Sequence, residues 1–155
     1  MVGKEDLAAI ARDIIDSNLY MVLGTAGEDG RPWVTPVYFA PHGYSEFYWI
    51  SSPEAQHSRN LEARREVSIV VFNSQVSIGT GQGVYIAAVA EQLQGVALEQ
   101  AIEIYSSRAK GHGGREFTAD NVQSPAAYRM YRASASEHWV LDPDASPDQR
   151  TPVSL

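Results

Sequence analysis

Between Ser51 and Leu61 the chain reads SSPEAQHSRNL, which places two hydroxyls, an imidazole and a guanidinium around the start of a helix. Ser51 and Ser52 offer side-chain oxygens, and the first helical turn offers unpaired N–H groups. His57, Ser58 and Arg59 follow at once. That set of donors is suited to a phosphate. Helical geometry limits the idea: at about 100° per residue, His57 and Arg59 leave the axis on separate faces. Both meet one anion only if the arginine stem folds back, and Glu54 opposes an anion there. Taken alone, these residues are described more simply as a capped, solvated helix.

A planar aromatic cofactor needs more than a phosphate cradle. It needs an apolar wall, backbone groups along its edge, and a separate cationic site. Three stretches can supply these: WVTPV from Trp33 to Val37, the Ser51–Arg59 corner, and the glycine-rich GTGQG from Gly79 to Gly83. Pro36 removes a ladder donor and so suits a sheet edge, where a ligand replaces a neighbouring strand. GTGQG itself opens a strand rather than a helix and carries no lysine, so it reads as a loop and not as a nucleotide fingerprint. His42, His57, His112 and His138 are scattered, without the short helical spacing of a zinc site, and no metal is expected. No serine lies in a nucleophile elbow, and the absence of cysteine removes thiolate chemistry and disulfides.

The elements that carry these residues follow from periodicity. Leu7, Ile10, Ala11 and Ile14 mark an opening amphipathic helix. NLYMVLGTA and WVTPVYFA, separated by GEDGRP, form a hairpin, and EFYWIS after the turn PHGYS is a third strand. Ser52 suits the N-cap and Pro53 the first position of the next helix. VSIVVFN reads as a central strand buried on both faces, and VYIAAVAEQL as another strand. Val96 to Lys110 forms a further helix. AYRMYRASASEHWVLD supplies one long or two short strands, with Tyr128, Met130 and Trp139 facing inward. We therefore expect a mainly β (α+β) fold: a split antiparallel β-barrel of about six strands flanked by helices. It occupies residues 1–142, and the Pro- and Asp-rich segment 143–155 is a flexible tail.

Composition bounds the function. A chain of 155 residues with 44% hydrophobic and 20% charged side chains is one globular domain. Its formal net charge of −7 argues against a nucleic-acid surface. With no signal-like start and no membrane-length apolar run, a soluble cytoplasmic protein is expected.

In order and spacing, GRPWVTPVYF, FYWISSPEAQHSRNLEARREVSIVVFN and GQGVYIAAVAEQL resemble the pyridoxamine 5′-phosphate oxidase-like flavin-binding split barrels, over about Leu7 to Leu141. The resemblance implies that Trp33, Val34, Thr35, Pro36 and Val37 run along an isoalloxazine ring. Ile50, Ser51 and Ser52 would approach the ribityl chain and phosphate, and His57, Ser58 and Arg59 would belong to the phosphate site. His57 stands where the family usually has lysine, with Arg59 at its second basic position, and Gln82 matches a glutamine that reaches the flavin from a second subunit. The implied protein is a homodimeric FMN-dependent oxidoreductase acting on a small molecule, with no side chain nominated as catalytic. A deazaflavin coenzyme is the alternative cofactor, and a non-catalytic module holding flavin or haem is the alternative of another class. The chain ends in SEHWVLDPDASPDQ rather than the Arg-His segment of true pyridoxamine phosphate oxidases, so pyridoxal phosphate synthesis is not expected.

Overall fold

The computed structural model describes residues 2–155. Helix α1 (Lys4–Ser17) precedes strands β1 (Tyr20–Ala26), β2 (Pro32–Tyr38), β3 (Ala40–His42) and β4 (Glu46–Ser51). Helix α2 (Gln56–Ala63) leads to β5 (Glu66–Phe72) and β6 (Gly83–Gln92), and α3 (Gly95–Gly111) is followed by β7 (Arg129–Leu141) and β8 (Arg150–Val153). All pairings are antiparallel, in the order β2-β1-β5-β6-β7-β4-β3, with β8 on the second half of β7. This is the expected split barrel, with eight strands in place of about six.

The two additional strands have local causes. His42 to Ser45 makes a tight turn in which Gly43 and Tyr44 both hold positive φ, at 58° and 57°. That conformation closes a hairpin with short strands on either side, so the residues before the turn pair as β3. In the segment expected to be loose, Arg150–Val153 finds β7 still unpaired beyond β4 and adds to it. The RMYRASASEHWVL stretch stays one long strand because β4 serves its first half and β8 its second.

Alternation sorts side chains into two cores. Met21, Leu23, Phe39, Phe47, Trp49, Ile69, Val84, Ile86 and Val140 fill the barrel interior under α1. On the other face of β4 and β7, Tyr48 and Met130 meet Leu98, Ala101, Ile102 and Tyr105 of α3. One half-buried arginine joins the layers. Arg108 of α3 donates to the carbonyls of Phe39 and of Asn18, the latter at 2.8 Å, with longer bonds to Ile15 and Asp16. It thereby satisfies carbonyls that the C-terminal end of α1 leaves open.

Helix α3 covers only the β3-β4-β7 part of the outer face. Across β2, β1, β5 and β6 the described residues put no layer on the outer face, so β5 is buried on one side rather than both, and Phe72 is exposed. Tyr128 is exposed too, Met130 is buried as expected, and Trp139 lies on the outer face beside Tyr85. Among the described residues no helix is long and apolar enough to cross a membrane.

Candidate functional site

Among the described residues, strand β2 ends the sheet and is hydrogen-bonded to β1 alone, so its other backbone edge is open. Register with β1 sorts its side chains. Val34 and Pro36 lie opposite Gly24 and Val22 on the bare outer face, whereas Trp33 and Thr35 lie opposite Thr25 and Leu23. Trp33 is 46% exposed and Val34 69% exposed, Thr35 is half-buried, and Val37 belongs to the core. Four of the five residues expected along a ring therefore remain accessible, and the fifth supports them from below.

The corner after β4 differs from its expected form. Ser52 does not cap the helix: its hydroxyl accepts the Glu54 amide at 3.1 Å and its carbonyl accepts the Ala55 amide at 3.1 Å. These two bonds close a turn around Pro53, and the helix begins only at Gln56 with Ala55 at its cap. The delay rotates the following side chains. His57 turns inward and shares a 2.8 Å hydrogen bond between Nε2 and the Ser51 Oγ. Both residues are buried, and burial lowers the His57 pKa, which favours the neutral imidazole. Ser58 is buried as well, while Arg59 points outward to a 2.5 Å ion pair with Glu54. Ile50, on the alternate face of β4, packs with the α3 core. Gln82 clamps the end of β7, donating to the Leu141 carbonyl at 2.6 Å and accepting its amide at 3.1 Å.

Residues that sequence reasoning passed over dock α2 onto the β1–β2 hairpin. Asn60, almost fully buried, donates to the Thr25 Oγ1 at 3.0 Å and accepts from Gln56 at 2.8 Å. Arg64 donates to the Gly27 carbonyl at 3.0 Å. Between hairpin and helix lies a groove of about 180 Å³ lined by Gly27, Asp29, Arg31, Trp33, Gln56 and Asn60. It widens over Glu28, Arg59 and Glu62. NL at Asn60–Leu61 was the one available signal, since an asparagine beside a core leucine on an amphipathic helix faces partly inward.

At the other end of β2 an aromatic cleft of about 400 Å³ opens among Leu19, Tyr20, Tyr38, Tyr105, His112, Arg115 and Phe117. Tyr38 meets Tyr20 and Tyr105 edge-on, and its hydroxyl lies 2.9 Å from His112 Nδ1. Burial pushes the Tyr105 phenol up to about 12, so it stays a neutral donor. Arg108 lies beneath, 5.7 Å from the Tyr38 ring centre. Thus β2 runs from a polar groove at Trp33 to an aromatic cleft at Tyr38, with an open backbone edge between them. A flat molecule with hydrogen-bonding groups on its rim fits this arrangement.

Comparison with known proteins agrees with the geometry. The family model for pyridoxamine 5′-phosphate oxidase matches residues 7–139. The chain belongs to this family. Solved structures place its fold in the same company. A haem-binding protein from Mycobacterium smegmatis is 20% identical with a TM-score of 0.70, over 91% of this chain and 55% of that one. HutZ, a haem storage protein from Vibrio cholerae, is 19% identical with a TM-score of 0.69, over 84% and 90%. A conserved hypothetical protein from Mycobacterium tuberculosis is 24% identical with a TM-score of 0.67, over 88% and 84%. The chain thus spans about half the length of the first of these and most of the other two. No curated protein matches it significantly.

FMN, the cofactor the family resemblance implies, fits this family member unevenly. The open edge of β2 and the accessible Trp33 suit the ring. The phosphate end matches poorly: His57 is buried on Ser51 and Arg59 is held by Glu54, while the Ser52 hydroxyl, which accepts the Glu54 amide, keeps its proton.

Proposed function

We propose that the protein is a flavin-dependent oxidoreductase in which the ring lies along the open edge of β2 and the small substrate enters from the aromatic cleft beside Tyr38. The open edge carries this reading, because it leaves backbone donors and acceptors in a row next to an exposed indole with a cavity at each end. A bound flavin supplies hydride and electron transfer. The chain supplies position: the β2 backbone meets the ring rim, Trp33 shields one side, and the aromatic walls exclude water from the substrate. A deazaflavin coenzyme shares the ring shape but brings a longer anionic tail to the same acidic groove.

The proposal includes a homodimer. Val22, Val34, Val70, Tyr85 and Trp139 line a groove of about 470 Å³ on the bare outer face, with Gly24, Ser68 and Ala87 forming its floor. An apolar sheet face of this kind is an interaction surface, and a second copy laid across it gives β5 the second buried side its sequence suggests.

Titration of the purified protein with flavin, followed by Trp33 fluorescence and then by reduction with NADPH, tests the reading. Saturable quenching that a Trp33→Leu variant loses, together with turnover, is the expected result. Binding without turnover favours the second reading, a holder of haem or flavin. That reading draws on the fold's likeness to two proteins named for haem and on His112 at the mouth of an aromatic cleft. A haem absorption band that His112→Ala abolishes is its signature.

A further inference from the structure

We infer that the groove between α2 and the β1–β2 hairpin selects against a phosphate, so that this chain holds a flat heteroaromatic with a neutral, hydroxyl-bearing tail, riboflavin rather than FMN. The inference rests on the flavin reading above and makes it more specific.

Charge is the first argument. The carboxylates of Glu28, Asp29 and Glu62 stand on the groove walls against the guanidiniums of Arg31 and Arg59, and Glu54 already occupies Arg59. Arg64, the next cation, is bonded to the carbonyls of Gly27 and Glu28. A phosphate monoester brings about 1.5 to 2 negative charges into that surrounding at neutral pH. The groove therefore repels the group it would have to hold.

Hydrogen-bond polarity is the second argument. A phosphate at neutral pH mostly accepts, whereas a hydroxyl both donates and accepts. Beside its two guanidiniums the groove presents acceptors: the carboxylate of Asp29, which also takes the Arg31 amide, stands within 3.3 Å of where a side chain on Gly27 would begin. Gln56, beside Asn60 on the α2 wall, is a mixed partner. Of the donors expected for an anion, the His57 imidazole is turned inside on Ser51 and Arg59 is engaged by Glu54. A polyhydroxylated chain can donate to these carboxylate and amide oxygens, and a phosphate cannot.

The test is a parallel fluorescence titration of the full-length protein with riboflavin and with FMN. Riboflavin is expected to bind about tenfold more tightly, a difference of about 1.4 kcal/mol. Glu54→Gln frees Arg59 and should improve FMN binding about fivefold while riboflavin binding holds steady. Added salt should narrow the gap by screening the repulsion. FMN binding as tightly as riboflavin, or more tightly, overturns the inference and leaves the flavin reading standing. Failure of both to bind overturns the flavin reading and the inference with it.

Discussion

Replacing Asn60 with alanine should cost far more stability than a surface asparagine would, and the structure sets the size. Asn60 is 3% exposed and Thr25 5% exposed, so neither amide nor hydroxyl has water to fall back on. The substitution removes the 3.0 Å bond to Thr25 and the 2.8 Å bond from Gln56. Each is worth about 1 kcal/mol net, and the Thr25 hydroxyl left behind adds a desolvation penalty of about 1 kcal/mol or more. The sum is about 3 kcal/mol, equivalent to a Tm lower by about 6–12 °C for a chain of this size. Urea unfolding of the protein, Asn60→Ala, Thr25→Val and the double variant forms the assay. Because Thr25→Val removes the orphaned hydroxyl, the double variant should lose less than the two single losses added together. A loss below about 0.5 kcal/mol for Asn60→Ala, the range of ordinary surface changes, would refute the idea that this side chain docks α2 on the hairpin.

Other outcomes follow from the same geometry. Arg108→Met should destabilise by about 3 kcal/mol or more, since it strips partners from carbonyls of α1 and of Phe39, and thermal unfolding would show it. If the proposed dimer forms through the bare face, Val34→Lys, at an exposed position on it, should convert two-chain particles into single chains in light scattering; an unchanged two-chain mass would refute that interface. Burial lowers the pKa of both His57 and His138, so the unfolded chain takes up protons first as pH falls. Stability should hold above the unfolded histidine value of about 6.5 and decline below it. His57→Gln, which keeps a partner for Ser51, should flatten part of that decline in urea midpoints taken at pH 7.5 and 5.5.

Much of the architecture was legible because it depends on strong local patterns. Alternating apolar residues in YMVLGTA and EFYWIS, the Leu98–Ile102–Tyr105 stripe, and the glycine turns gave strands, helices and antiparallel order. What escaped was decided by choices between equal local partners. Ser52 could cap a helix or close a turn, and the Glu54 amide made the difference, displacing the helix start to Gln56 and sending His57 inward. β8 forms because a long strand elsewhere leaves an edge unpaired, which no window around Arg150 reveals. β5 looked buried on both faces because VSIVVFN is almost wholly apolar, yet among the described residues nothing covers its outer side. The Trp33 edge of the site was readable from Pro36, while the Asn60 dock and the Tyr38–His112 cleft depend on residues 35 and 74 positions apart.

The half-buried arginine under the aromatic cleft gives the molecule an uneven response to acid. Its guanidinium stays protonated at any ordinary pH, so the joint between the first helix, the end of β2 and α3 does not titrate. The corner held by His57 and Ser51 does titrate. Mild acid should therefore loosen the barrel at α2, and at the turn where His138 meets the Tyr44 carbonyl, while the Arg108 contacts between α1 and α3 keep their hold. Hydrogen exchange at pH 5 would register this as early exchange of the α2 amides ahead of those in α3; simultaneous exchange of both helices would mean that the two layers open as one.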